Sequence, residues 1–378
     1  MAGVYISWPF CAQKCTYCNF ASGVFPRELE AQYLDALCAE IAAADWPWTP
    51  ATVYLGGGTP GSMRPPDLER VLARVPGKPW LEATLEAAPG ALDRAAVEAW
   101  RDCGINRVSL GVQSFVEDEL RRTGRKHTAA GVERDVALLR DCGIAEINID
   151  LIAGLPSQTL ESWRASLQWI ERLAPPHVSV YMLEIDADSR LGHELLAGGS
   201  RYGAPLVPQE DDVVTLYEEA LERLEALGLR RYEISNFALP GHESRHNLKY
   251  WRLEPYIGFG ADAHSFNGLV RAQNAEAAAD YVALWRRGHS VRIGETQAIA
   301  HEERFFVGLR LMEGIAPTAE ERARHAEPIA RLVQAGLLED TGARLRLTRR
   351  GVLLSNEVFQ EFIATSCPAS GSISEATP

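Results

Sequence analysis

Short runs rich in β-branched residues alternate along the chain with longer stretches whose apolar positions recur at helical spacing. The runs are VYISW (4–8), TVYLGGG (52–58), LEATLEAA (81–88), RVSLGV (107–112), EINIDLIAG (146–154) and HVSVYML (177–183). Strands separated by helices predict βα units wound about a parallel sheet. Two joints nearly repeat: RDCGINRVSLGV and RDCGIAEINIDL each end a helix on Asp-Cys-Gly-Ile and enter a strand. Gly104 and Gly143 stand where a helix C-cap favours glycine, and a looser third joint, EALGLRRYEISN, ends a helix at Gly228. The expected fold class is α/β, a partial or full (β/α) barrel, with a doubly wound open sheet as the alternative.

Beyond residue 183 the pattern weakens. Residues 184–211, including AGGSRYGAPLVPQ, are expected to form a loop crossing to a helix near 211–227. After about residue 300, EERFFVGLRLMEGI predicts one amphipathic helix, and IARLVQAGLLEDTGARLRLTRRGVLLSNEVFQEFI predicts helix, short hairpin, helix: a small α+β, winged-helix-like domain. Its LEDTGARLRLTRRG holds four arginines against two acids, so a structural or docking role is expected rather than DNA binding. The tail ATSCPASGSISEATP is small and polar, which predicts disorder for 364–378 and an inert Cys367. The expected organisation is a barrel over 1–240, a binding motif and connecting segment over 241–299, and a C-terminal domain over 300–363.

Composition narrows the function classes. The 378 residues are 46% hydrophobic with a formal charge of −13, and no cluster of Lys and Arg offers nucleic-acid phosphates a footprint. No run reaches the roughly 20 apolar residues that span a bilayer, and no signal peptide opens the chain. A cytoplasmic protein is expected, where thiols stay reduced; the seven cysteines, odd in number and irregular in spacing, are not a disulfide framework.

Three of those cysteines, Cys11, Cys15 and Cys18, lie within WPFCAQKCTYCNF. A structural zinc wants four protein ligands, yet no histidine precedes His127, and Cys38 falls in a helical pattern. A [4Fe–4S] cluster held by three thiolates keeps one iron open for a substrate or cofactor. Iron–sulfur chemistry is the favoured reading, with zinc and ordinary thiols as alternatives.

CAQKCTYC, with Tyr17 before the last cysteine, resembles the signature of the radical S-adenosylmethionine (SAM) superfamily. Over about residues 3–360 the chain is similar to its coproporphyrinogen III oxidase-like group, and the C-terminal domain would be HemN-like. The resemblance implies that SAM chelates the open iron and that an electron from the cluster cleaves it to a 5′-deoxyadenosyl radical. It also implies SAM-contacting residues: Gly57, Gly58 and Thr59 in GGGTP, Tyr5, Tyr17, Glu86 in LEAAPG, Gln113 in GVQSF, Arg125 in TGRKH and Asp150 in INIDLIAGLP. Glycines at a strand end let a ligand approach and expose N–H groups, and the rest are predicted at or just after strand C-termini, where βα sheets place ligands. Ala88 and Gly61 depart from the family's Asn and Ser or Thr.

Coproporphyrinogen dehydrogenases in that group extend the motif to C-x₃-C-x₂-C-x-C after a long leading segment. Here Phe20 takes the fourth cysteine's place and ten residues precede Cys11, so the group's haem-chaperone branch is favoured over the dehydrogenase. RHNLKYW (245–251) matches that branch's haem-associated HNxxYW motif. If helical, it sets His246 over Tyr250 and Asn247 over Trp251, one imidazole beside aromatic rings. His246 is the expected axial haem ligand, with His242 and with His264 in YIGFGADAHSF, where Asp262 replaces a Gly, as alternatives. The expectation is a chaperone binding a cluster, SAM and haem, served by an electron donor. It would pass haem to an acceptor, a membrane-bound respiratory enzyme, at the inner face of the membrane. No coproporphyrinogen dehydrogenase activity is expected.

Overall fold

The computed structural model describes residues 2–363; Cys367 and the expected tail lie outside them. The described residues up to Ala298 form one compact unit and those from Ile299 a second.

The first unit is built on six parallel strands, β1 (Gly3–Trp8), β2 (Thr52–Gly57), β3 (Glu82–Ala87), β4 (Arg107–Gln113), β5 (Glu146–Ala153) and β6 (His177–Met182). They pair in sequence order, 1-2-3-4-5-6. A doubly wound sheet reverses its order at a switch point, whereas this one winds in one direction, as a barrel does. The ring is partial. Beyond β6 stand β8 (Asn236–Ala238) and β7 (Arg230–Arg231), both antiparallel. On the other side β1 pairs in parallel with β9 (Tyr256–Phe259), followed by antiparallel β10 (His264–Phe266), β11 (Val270–Asn274) and β12 (Arg292–Gln297). Residues 241–299 are therefore not a connecting segment, because β9 completes the hydrogen bonding of β1 and the first unit runs on to Ala298.

Helices α1 (Arg27–Ala42), α2 (Pro65–Leu72), α3 (Arg94–Asp102), α4 (Glu117–Arg122), α5 (Ala129–Asp141) and α6 (Leu160–Leu173) fill the crossovers. The predicted caps are present, with Gly104 at φ +95° and Gly143 at φ +88°. At the start of α6, Thr159 and Ser162 exchange a capping box, a feature that stabilises a helix by about 1 kcal/mol. The helices cover an apolar strand face of Val4, Ile6, Val53, Leu55, Leu85, Val108, Leu110, Ile147, Ile149, Val178 and Val180, all buried. Successive side chains point to opposite faces, so Tyr5, Ser7, Thr52, Tyr54, Glu82, Thr84, Glu86, Ser109, Asn148, Asp150, His177, Ser179 and Tyr181 share the inner one. Buried parallel strands usually run apolar on both faces; here the inside of the curve is polar.

The stretch 184–211 is more regular than expected, with helix α7 (Arg190–Leu196) capped by the Ser189 side chain and a 3-10 turn at Arg201–Leu206 before α8 (Glu210–Ala226). Helix α9 (Arg245–Trp251) follows.

In the second unit, helices Ala300–Phe306, Ala319–Arg324 and Ala326–Gln334 precede a hairpin of Leu338–Asp340 with Leu345–Leu347 and helices Arg349–Leu353 and Ser355–Gln360. Phe305, Leu309, Leu332, Leu345, Val358 and Phe362 form its core. The single helix expected over 302–315 ends at Phe306. Gly314 adopts φ +68° and Ile315 bridges to Leu345 instead, so pairing with the hairpin ends the helical run.

Candidate functional site

Cys11, Cys15 and Cys18 lie on the loop leaving the C-terminal end of β1, each half-buried and none in a disulfide. Neighbours hold the loop. Cys11 N–H donates to Gly23 O and Gly23 N–H to Pro9 O, at 2.8 and 2.9 Å. Leu191 N–H, from α7, donates to Thr16 O at 2.8 Å, and Asn19 Nδ2 donates to Asp186 Oδ2 at 2.7 Å. Arg190 reaches Lys14 O. The stretch expected to be a loop thus carries one wall of the cysteine loop's support.

GGGTP carries another. Gly57 takes φ +100°, and a Cβ on Gly58 would stand 2.7 Å from Trp8 O and 2.9 Å from Phe10 N. Gly58 N–H donates to Trp8 O and Thr59 N–H to Phe10 O, at 2.9 and 3.0 Å. The expectation that these N–H groups face a ligand is corrected for Gly58 and Thr59, whose N–H groups are spent inside the protein. The glycines allow close approach to the cysteine loop, and the Thr59 hydroxyl lies 3.6 Å from Cys11 Sγ. Burial pushes the Cys11 thiol up, against hydrogen bonds from Thr59 and Ser22.

Beneath this loop the polar inner face forms a well. Tyr5 stacks on Tyr54 with centroids 6.2 Å apart. The Tyr54 hydroxyl donates to Glu86 Oε1 at 2.8 Å. Burial, aided by the Asp150 carboxylate, pushes Glu86 up to about 7. Asp150 accepts from Ser109 Oγ at 3.0 Å and Asn148 Nδ2 at 2.7 Å, and burial raises it as well. Arg125 does not follow a strand; it lies past α4 and returns to donate to Gly111 O and to Tyr17 OH, the latter at 3.1 Å. Tyr5 and Asp150 sit mid-strand, a layer deeper than predicted. Gln113 has φ +70° at a bulge, and its buried Oε1 lacks a hydrogen-bond partner. A strained backbone bearing an unpaired buried acceptor is what a ligand-contacting residue presents before its ligand arrives.

Among the described residues no three His, Cys, Asp or Glu side chains form a group that could hold a metal ion. The fit to a cluster rests on donor chemistry: three soft sulfurs from one supported loop, with a hydroxyl to bond one of them. The fit to SAM rests on the well, where paired carboxylates suit an ammonium and ribose hydroxyls, Arg125 suits a carboxylate, and Gln113 has an acceptor to give.

The HNxxYW residues lie elsewhere. Helix α9 packs at the N-terminal ends of β1–β3, where a Cβ on Gly3 would come within 3.2 Å of His246 Cε1. His246 is fully buried. Its Nδ1 is 2.8 Å from Thr52 Oγ1 and its Nε2 2.8 Å from Tyr250 OH, and burial drives the imidazole down to about 3. The helical stacking of His246 and Tyr250 is as predicted, but neither nitrogen faces an open space in this arrangement. The aromatic wall also turns inward, with Tyr250 against Tyr256 at 4.7 Å. The Asn247 N–H is capped by Ser244 Oγ at 3.3 Å. His242 Nδ1 pairs with Glu146 at 2.9 Å, while His264 is exposed on β10.

Sequence reasoning missed Tyr54, Ser109, Asn148, Ser179 and Glu82. Their signal was the polar residue at every second strand position, which marks an inner face as plainly as apolar residues mark the outer one.

A model of the Radical SAM superfamily matches residues 5–170, and one of the HemN C-terminal domain matches 297–354. The Heme chaperone HemW of Lactococcus lactis subsp. lactis is 33% identical over 95% of this chain and 96% of its own length. That of Bacillus subtilis is 34% identical over 96% and 99%, and that of Escherichia coli 36% identical over 69% of each. Coproporphyrinogen III oxidase (HemN) from Escherichia coli shares the fold, with a TM-score of 0.83 at 22% identity over 96% of this chain and 89% of that one.

Proposed function

The chain belongs to the HemW-type family of radical SAM proteins, and from that premise we propose that it is a haem chaperone holding a [4Fe–4S] cluster on Cys11, Cys15 and Cys18. The observation that carries this reading is similarity over nearly the full length to proteins named heme chaperones. Phe20 supports it: the side chain is 66% exposed, two positions after Cys18, where the dehydrogenases would set a further cysteine.

The cluster, when bound, supplies one electron from an external donor. The chain's own residues hold and orient. The three thiolates grip from a loop braced by Gly58, Thr59 and α7, and the well of Tyr5, Glu86, Gln113, Arg125 and Asp150, with Tyr17, receives SAM. Glu86, poised near neutrality, gives up its proton as a cationic ligand arrives, because a positive charge beside it favours the carboxylate. Haem would be taken at His246 of α9, with Tyr250 and Trp251 as stacking partners and Asn247 beside them. Delivery to a membrane-bound respiratory enzyme fits a protein that visits the membrane's inner face; among the described residues no helix is long and apolar enough to cross one.

Anaerobic reconstitution followed by iron, sulfide and haem titration tests this. About four irons and one haem per chain are expected, with no conversion of coproporphyrinogen III in the presence of SAM and reductant. Sustained conversion above a cluster-free control makes the protein a dehydrogenase, and absence of saturable haem binding removes the chaperone assignment.

A further inference from the structure

Glu82, the buried first residue of β3, carries no assigned role, yet its carboxylate receives the start of α9. Oε1 accepts from the Ser244 hydroxyl at 3.1 Å and His246 N–H at 2.9 Å, and Oε2 from Arg245 N–H at 2.7 Å. The first N–H groups of a helix have no partner within it, and a carboxylate there is favoured by the helix dipole. Thr52, one strand away in register with Glu82, bonds the imidazole itself. A haem iron needs a ring nitrogen that a flat macrocycle can reach. His246 has both nitrogens occupied and no exposed surface.

Resting on the reading of His246 as a haem ligand, we propose that Glu82 is the clamp of a closed state and that haem is taken when α9 comes away from the starts of β2 and β3. The segment is suited to move as a piece. It lies between Ala238, the end of β8, and Tyr256, the start of β9. Gly241, at φ +91° with nothing near its missing Cβ, and Leu253, at φ +53°, flank it as turning points. No strand pairing breaks when it lifts. What breaks is the set of hydrogen bonds to Glu82 and Thr52, the contacts of His242 with Arg107 and Glu146 and of Ser244 N–H with Tyr232, and the ring packing of His246 on Tyr54 and Tyr250 on Tyr256. Glu82 alone takes three of these hydrogen bonds, so the clamp weighs on the fraction of open protein. Apparent affinity for a ligand of the open state is the intrinsic affinity reduced by that fraction.

Stopped-flow haem binding to the full chain tests the clamp. In the parent the observed rate should rise with haem concentration and then level at the opening rate. Glu82→Gln retains shape and one carbonyl oxygen but turns an NH₂ toward N–H donors. It should raise the plateau about tenfold and tighten the apparent Kd by a similar factor, the scale of a lost charged hydrogen bond. Thr52→Val, which removes one hydroxyl, should shift both in the same direction by less, and it serves if the Glu82 variant does not fold. His246→Ala should weaken haem binding or change the haem spectrum. A parent rate that stays linear, with both variants unchanged while His246→Ala still weakens binding, overturns the clamp and leaves the haem site standing. Unchanged haem binding and spectrum in His246→Ala overturns the ligand reading itself, and the clamp as a gate with it.

Discussion

The Tyr54 hydroxyl and the Glu86 carboxyl meet across adjacent strands at 2.8 Å, and this contact opposes the burial that raises Glu86 to about 7. An acid whose folded pKa lies above its unfolded value stabilises the fold most below the unfolded pKa, near 4.5, and loses that contribution as pH rises through 7. The apo protein should lose at most about 3 kcal/mol from this source across that window. Glu86→Gln should flatten the corresponding part of the urea-midpoint profile between pH 5 and 8. Tyr54→Phe should move the Glu86 carboxyl titration, followed by carbon NMR, to higher pH; a downward shift would show that the hydroxyl does not favour the carboxylate.

Gly58 is where two loops touch. Its substitution by Ala places a methyl against Trp8 O, Pro9 C and Phe10 N, at 2.7, 2.8 and 2.9 Å, all backbone atoms without a rotamer to yield. A loss of about 2 kcal/mol and a reduced iron content after reconstitution are expected. Gly294→Ala, where nothing lies within 4 Å, should change neither.

Each of Cys11→Ser, Cys15→Ser and Cys18→Ser should abolish the charge-transfer absorption of the reconstituted protein, because a short loop has no spare thiolate. Cys38, Cys103 and Cys142 are buried away from the loop, and their Ser variants should keep full iron content. Iron and sulfide analysis decides it, and a full cluster in the triple loop variant rejects the ligand set.

Gln113 separates binding from stability. Gln113→Gly relieves the positive φ, so thermal stability should rise, by roughly 0.5–1 kcal/mol. SAM affinity, measured calorimetrically on the reconstituted protein, should fall about tenfold with the loss of an amide acceptor. Unchanged SAM affinity would mean that the unpaired Oε1 does not serve the ligand.

The six parallel strands, the helix caps at Gly104 and Gly143 and the cysteine loop were legible along the chain, because each depends on residues close in sequence, whereas the short strands β7 to β12 at the sheet's two edges were not. The extent of the helix near 302–315 and the regularity of 184–211 were not. The first is cut short by pairing between Ile315 and Leu345, and the second is organised by its contacts with the cysteine loop.

The sequence by itself determined βα units about a parallel sheet, a set of three thiols early in the chain and a helix bearing His246 above Tyr250, since local spacing sets strand faces and helix stripes, while the strand order that makes the sheet a barrel came from the fold. Only the tertiary structure decided what those groups face. Curvature of the sheet gathers every second strand residue into one polar well, which ties Glu86 to Tyr54 and leaves Gln113 an unpaired oxygen. Placing α9 at the opposite ends of the strands puts His246 between Thr52 and Tyr250 under the hold of Glu82. Those partners are distant in sequence, and no periodicity records which of them a folded chain will bring within hydrogen-bonding distance.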